Sequence, residues 1–136
     1  MIKNIVRDTF FLSQKAELAT KSDTQVCLDL VDTLQANKER CVGMAANMIG
    51  VKKRIIIVSM GYMNVVMINP QILQKSNPYE TKEGCLSLSG ERQTTRYQNI
   101  VVKYYDMQWK ERKQSFVGYE AQIIQHEIDH CDGILI

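Results

Sequence analysis

Apolar residues recur at every fourth position in Val26, Leu30 and Leu34, with Cys27 and Val31 beside them. That spacing predicts an amphipathic helix. Ser22 stands before it as an N-cap, with Gln25 as its capping-box partner, and the pattern ends near Asn37. Residues Met1 to Lys21 show no period. They read as an irregular lead-in with one aromatic anchor, Phe10-Phe11-Leu12. Further on the period changes. Arg54 to Val58 and Val65 to Ile68 are β-branched runs, and Gly61 to Asn64 supplies a turn, so the pair predicts a β-hairpin. Asn99 to Tyr105 and Gln114 to Val117 read as two more strands, linked through the charged turn Lys110 to Lys113. Gly118 opens a final helix from about Tyr119 to Cys131, and Gly133 stands where a C′ glycine would end it. Helix, strands, helix predicts an α+β fold with an antiparallel or mixed sheet, rather than a wound βαβ fold.

Composition narrows the class. The 136 residues are 45% hydrophobic and 24% charged, which fits one soluble domain spanning residues 1–136. A net charge of +2 is too small to argue for nucleic acid or a membrane surface as partner. No stretch reaches the ~18 apolar residues of a membrane span, and the N-terminus carries no signal-peptide pattern, so the expectation is cytoplasmic. Cys27, Cys41, Cys85 and Cys131 form no CxxC pair and no disulfide-rich scaffold. In a reducing compartment they are thiols.

The chemistry concentrates in the last helix. The chain has 2 histidines, His126 and His130, within Gln125-His126-Glu127-Ile128-Asp129-His130. Residues four apart share a helix face, so both imidazoles can reach one metal ion, and Glu127 follows the first as in HExxH hydrolases. A catalytic site usually has three protein ligands. The chain ends shortly after His130, so the third must come from upstream. Cys85 is the best candidate, in the polar, glycine-containing loop Glu83-Gly84-Cys85-Leu86-Ser87. Cys27 lies on the apolar stripe of the first helix and reads as core. Cys131 is turned ~100° from its neighbour His130 and reads as core or cap.

With these segments side by side, the chain resembles the peptide deformylase family. That family carries GxGxAAxQxG, EGCLS and QHExDH motifs in this order. Here they stand as Cys41-Val42-Gly43-Met44-Ala45-Ala46-Asn47-Met48-Ile49-Gly50, Glu83-Gly84-Cys85-Leu86-Ser87 and Gln125 to His130. The resemblance implies an α+β fold with sheets packed around the HExxH helix. It implies removal of the formyl group from the N-terminal formylmethionine of nascent polypeptides. It also implies one divalent metal ion, Fe²⁺ in the cell and often Zn²⁺ or Ni²⁺ in preparations. Carried over, the ligands are Cys85, His126 and His130, and water takes the fourth place. Glu127 is general base and then general acid, and the Leu86 backbone N–H holds the developing oxyanion. Gly43, Gly84 and Arg92 fall at the substrate groove, although Arg92 reads equally well as a solvated surface charge. Gln125 and Asp129 read as groups behind the ligands, and Asp129 equally as a structural hydrogen-bonder. The partner implied is the formylated nascent peptide, with the ribosome as a candidate; neither nucleic acid nor membrane is implied.

Two positions depart from the first motif. Cys41 stands for its opening glycine and Met48 for its glutamine. In the family that glutamine amide donates to the formyl oxygen; a thioether has no N–H to donate. Met48 therefore occupies a catalytic position without its donor. The departures leave three readings: a deformylase of reduced activity, a relative acting on another small N-acyl substrate, or a catalytically weak metal-binding module. The apolar ending Ile134-Leu135-Ile136 is expected to pack as a short strand or cap. It leaves no longer tail of the kind through which relatives touch a ribosome.

Overall fold

The computed structural model describes residues 1–136. A short helix α1 (Thr9–Leu12) and a 3₁₀ turn (Lys21–Asp23) lead into helix α2 (Thr24–Ala36). Then come β1 (Gly43–Ala45), a 3₁₀ turn (Ala46–Ile49), β2 (Ile55–Ser59), β3 (Asn64–Cys85), β4 (Leu88–Tyr105), β5 (Glu111–Val117) and helix α3 (Gly118–Cys131). The five strands form one sheet in the order β1-β2-β3-β4-β5, with every neighbouring pair antiparallel. The expected α+β class holds, with a purely antiparallel sheet.

The run Ile55 to Val58 is apolar without alternation because β2 is covered on both faces. Ile55 and Ile57 pack with Leu30, Leu34 and Met44 on the α2 side. Ile56 and Val58 pack with Ile124 and Ile128 on the α3 side. Residues Ile55 to Val58 are all fully buried. Burying each such side chain contributes about 1.5–3 kcal/mol. Cys27 and Cys131 fall one in each core, as expected, and burial pushes the Cys131 thiol up to about 12.

Several local expectations are corrected. The first helical turn starts before Ser22: Thr20 donates its N–H to the Asp23 carboxylate at 2.8 Å, and Gln25 reaches Asp29 at 2.9 Å. Leu12, fully buried, is the anchor of the lead-in, whereas Phe10 is 75% exposed. The turn before β5 spans Asp106 to Lys110, not Lys110 to Lys113. There the Asp106 carboxylate accepts from the N–H groups of Gln108 and Lys110 at 3.0 and 2.9 Å. Residues 134–136 form no strand but the expected cap: Ile134 N–H donates to the Asp129 carbonyl at 3.0 Å, and Ile136 is buried.

The largest correction is the β3–β4 hairpin. Residues 69–85 and 88–98 carry no alternating apolar face, and Pro70 and Pro78 argue against strands. They are strands nonetheless, and Pro78 sits opposite Tyr97. The ladder slips twice near Asn69, a residue at φ 53° whose side chain exchanges two hydrogen bonds with the backbone of Ala19. Cys85 accordingly lies at the end of a strand, opposite Leu88, rather than in a free loop. Gly133 has φ +76°, and a Cβ there would meet the Ser13 carbonyl oxygen at 2.5 Å. The end of α3 can turn against the lead-in only with glycine at that position.

Candidate active site

Helix α3 lies against the sheet with Gln125, His126, Glu127 and His130 on its buried side. Gln125 pins it to β4, accepting from Tyr97 N–H and donating to Tyr97 C=O, both at 2.9 Å. Asn47 pins the other end, its Nδ2 donating to the His130 carbonyl at 2.9 Å. The close approach of β1 to α3 depends on Gly43. A Cβ there would stand 2.9 Å from both Glu127 Oε2 and Ile123 Cγ2. Gly43 thus seats Glu127, besides lining the pocket.

The end of β3 carries Cys85 to the two histidines. Cys85 Sγ is 3.3 Å from His130 Nε2, which is 3.2 Å from His126 Nε2. All three donor atoms lie within 4.8 Å of one another. A tetrahedral site with bonds of about 2.0–2.3 Å separates neighbouring donors by roughly 3.3–3.8 Å. The triangle fits one divalent ion, and three protein donors leave a position open. Glu127 stands beside it, buried, with Oε1 free of any hydrogen-bond partner. Ser87 N–H points to Cys85 Sγ at 3.5 Å.

Behind the triangle runs a buried charged network. Glu83 accepts from Arg96 Nε and Nη2 at 2.9 and 2.7 Å and from Gln122 Nε2 at 2.9 Å, and contacts His126 Nδ1 at 2.8 Å. Arg96 Nη1 also donates to Asp129 at 2.7 Å. Asp129 is therefore part of an ion pair that ties α3 to the hairpin and reaches His126 through Arg96 and Glu83. Such contacts orient an imidazole and fix which nitrogen faces the metal.

The electrostatics follow from burial and these contacts. Burial alone would raise the Glu83 carboxyl, but His126, Arg96 and Gln122 outweigh it and hold it at about 2. Burial pushes Glu127 up to about 7, against the pull of His126. Burial also lowers both imidazoles. At His126 the Cys85 thiol and Glu83 carboxylate outweigh it, raising that ring to about 10. At His130 burial and the charge of His126 hold the ring down to about 3. At neutral pH one ring of the pair is held neutral and the other protonated.

The site opens into a pocket of about 290 Å³. Residues 40–43 and 82–86 supply two walls, Tyr119, Gln122 and Ile123 line it along α3, and Met48 lies deep inside. Leu86 and Gly84 line it beside Cys85. Met48 is folded inward, with Sδ 3.5 Å from the Ala45 N–H. Cys41 needs no left-handed backbone; its thiol donates to the Gly43 carbonyl at 2.7 Å, and burial pushes it up to about 12. Arg92 does not reach the pocket. It sits opposite Glu83 in the ladder, and its Nη1 donates to the Ser89 carbonyl at 3.3 Å. Arg40 and Lys82 are the cations on the pocket wall. The sequence carried no signal for them, nor for Arg96 in a polar stretch without period. Glu83 was visible inside its motif, without a role.

Known proteins resemble this chain in sequence and in fold. The family described as "Polypeptide deformylase" matches residues 2–136. A peptide deformylase of Clostridium beijerinckii is 60% identical over 136 residues, covering 100% of both chains. Among solved structures, a class I type b peptide deformylase from Acinetobacter baumannii bound to Met-Ala-Ser superposes with a TM-score of 0.88 at 29% identity, covering 99% of this chain and 97% of that one. The peptide deformylase of Thermotoga maritima superposes with a TM-score of 0.89 at 27% identity, covering 99% and 95%. No helix is long and apolar enough to cross a membrane. With the family match and the 60% identity both running the length of the sequence, this chain belongs to the polypeptide deformylase family.

Proposed function

We propose that this chain removes the formyl group from the N-terminal formylmethionine of nascent polypeptides, releasing formate and a free amine. The observation that carries the reading is the triangle of Cys85, His126 and His130 with the partnerless Glu127 carboxylate beside it. These three residues would hold the divalent ion. Lewis acidity toward the formyl oxygen, and a lowered pKa for water, are what such an ion supplies there. Glu127 accepts the proton of the attacking water, whose oxygen bonds to the formyl carbon. It then returns that proton to the amine nitrogen as the C–N bond breaks. The Leu86 backbone N–H is assigned to the developing oxyanion. The Acinetobacter baumannii relative holds Met-Ala-Ser, a methionine-first peptide such as deformylation leaves.

One thiolate and two imidazoles suit Fe²⁺, Zn²⁺ and Ni²⁺ alike. Fe²⁺ in the cell is assigned on the family likeness, and a cytoplasmic location with the ribosome nearby follows from a nascent substrate. The test of the whole reading is formate release from a formyl-Met peptide after anaerobic Fe²⁺ loading, compared with Glu127→Ala. A different N-acyl substrate, or a weak metal-binding module, is not favoured. The full-length identity to a named peptide deformylase and the retained Glu127 stand against both.

Two predictions arise here. Loading the metal-free protein at pH 7 is expected to release protons, since the His126 ring, raised to about 10, must give up its own to serve as a ligand. Calorimetry in buffers of different ionisation enthalpy reads this directly, and loading without proton release would contradict the ligand set. Met48→Gln is expected to raise turnover of a formyl-Met peptide several-fold, because one oxyanion donor is typically worth about 10²–10³ in rate. The gain falls short of that because Met48 is part of the core and an amide there must be desolvated. An unchanged or lower rate, with fold and metal content intact, would argue against a missing donor.

A further inference from the structure

The pocket wall has an uneven charge. Four lining residues are arginine, lysine or glutamate: Arg40, Lys82, Glu83 and Glu127. Both carboxylates are buried, Glu83 is committed to Arg96, and Glu127 belongs to the reaction centre. Both cations are exposed, and neither pairs with a carboxylate. Arg40 is steadied by Asn37, whose Oδ1 accepts from Nη2 at 2.8 Å. The neighbouring hairpin carboxylate, Glu91 opposite Gly84, does not line the pocket. The mouth therefore presents two unpaired positive charges from two separate walls.

This placement bears on which chains enter. The formyl group caps one end of its substrate, so the rest of a nascent chain must leave through the mouth. Lys82 is three residues before Cys85 on an extended strand, a separation of about 10 Å. An extended peptide with its formyl carbon at the triangle reaches that distance at about its third residue. We propose that Arg40 and Lys82 form a cationic mouth that favours formylated chains with an acidic side chain near the third position. The inference rests on the deformylase reading and names the substrate class within it.

The test compares formyl-Met-Ala-Asp-amide, formyl-Met-Ala-Asn-amide and formyl-Met-Ala-Lys-amide on the Fe²⁺-loaded protein. The expected order of kcat/KM is Asp, Asn, Lys, with about three- to fivefold per step at low salt, the range for exposed charge pairs. Raising salt to about 0.5 M should compress the order, since the Debye length falls to a few ångströms. In R40E/K82E the Asp-to-Lys ratio should invert. Formate from the Asn peptide with no preference for Asp over Lys at low salt, or a preference untouched by R40E/K82E, overturns this inference alone. Should the double variant fail to fold, the wild-type order and its salt dependence still decide. No formate from any of the three peptides overturns the deformylase reading and this inference with it.

Discussion

Replacing Glu127 with glutamine is expected to lower formate release about 10²–10⁴-fold while leaving metal content unchanged. The amide is isosteric, so the close packing of the side chain against Gly43 survives. It cannot take a proton from water or return one to the amine. Metal content should hold because Cys85, His126 and His130 make the triangle without Glu127. The same residue sets a pH dependence. Burial raises its carboxyl to about 7, and only the ionised form is a base. Activity should therefore fall as pH drops below about 7, and a bound cation would shift that limb lower by favouring the carboxylate. The limb should be absent from the residual activity of Glu127→Gln. A variant with near-normal turnover, or one that loses metal in proportion to activity, would remove Glu127 from the proton-transfer role. Anaerobic formate assays with parallel metal analysis separate these outcomes.

Glu83→Ala is expected to be the most damaging change that replaces neither a ligand nor the proton carrier. It leaves the buried Arg96 guanidinium with Asp129 alone and removes the contact at His126 Nδ1. Removing one partner of a buried ion pair costs about 3–5 kcal/mol, and the low end applies because Asp129 remains. Loss of a carboxylate behind a ligating histidine typically weakens metal binding about 10–100-fold. The sign of the pH effect follows from the carboxyl lying at about 2, below its ordinary value of 4.5. Glu83 stabilises the fold above about pH 4.5, and that stabilisation is lost as pH falls toward about 2. Urea denaturation across this window should show the acid-sensitive step in the wild type and not in the variant. A loss below about 1 kcal/mol would mean that the network contributes little to holding the hairpin on α3.

The sequence disclosed the site better than it disclosed the scaffold. That both histidines and Cys85 would come together was legible because ligand chemistry restricts residue type and helix geometry restricts spacing. The cores were legible where a helix covers a strand, as at Ile55 to Val58. The long β3–β4 hairpin was not, since its outer part packs against no apolar layer and so writes no alternation. Its pairing is held by backbone hydrogen bonds, which leave no mark on side-chain choice. Arg96 was hidden for a related reason: a buried arginine looks like a surface one until its partners Glu83 and Asp129 are seen from two other segments. Arg92 drew attention by its place near Cys85, yet strand geometry turns it to the Ser89 carbonyl and leaves Arg40 and Lys82 on the pocket wall. Cys41 could not be judged without φ, and its ordinary backbone removes the need for glycine there.

The most direct measurement is formate produced from a formyl-Met-Ala-Ser peptide by the anaerobically Fe²⁺-loaded protein, with free amine counted in the same samples. The account predicts formate and amine in equal amounts, lost on chelation, restored by Fe²⁺, and reduced to background in Glu127→Ala. Formate no greater from the loaded wild type than from Glu127→Ala would contradict it.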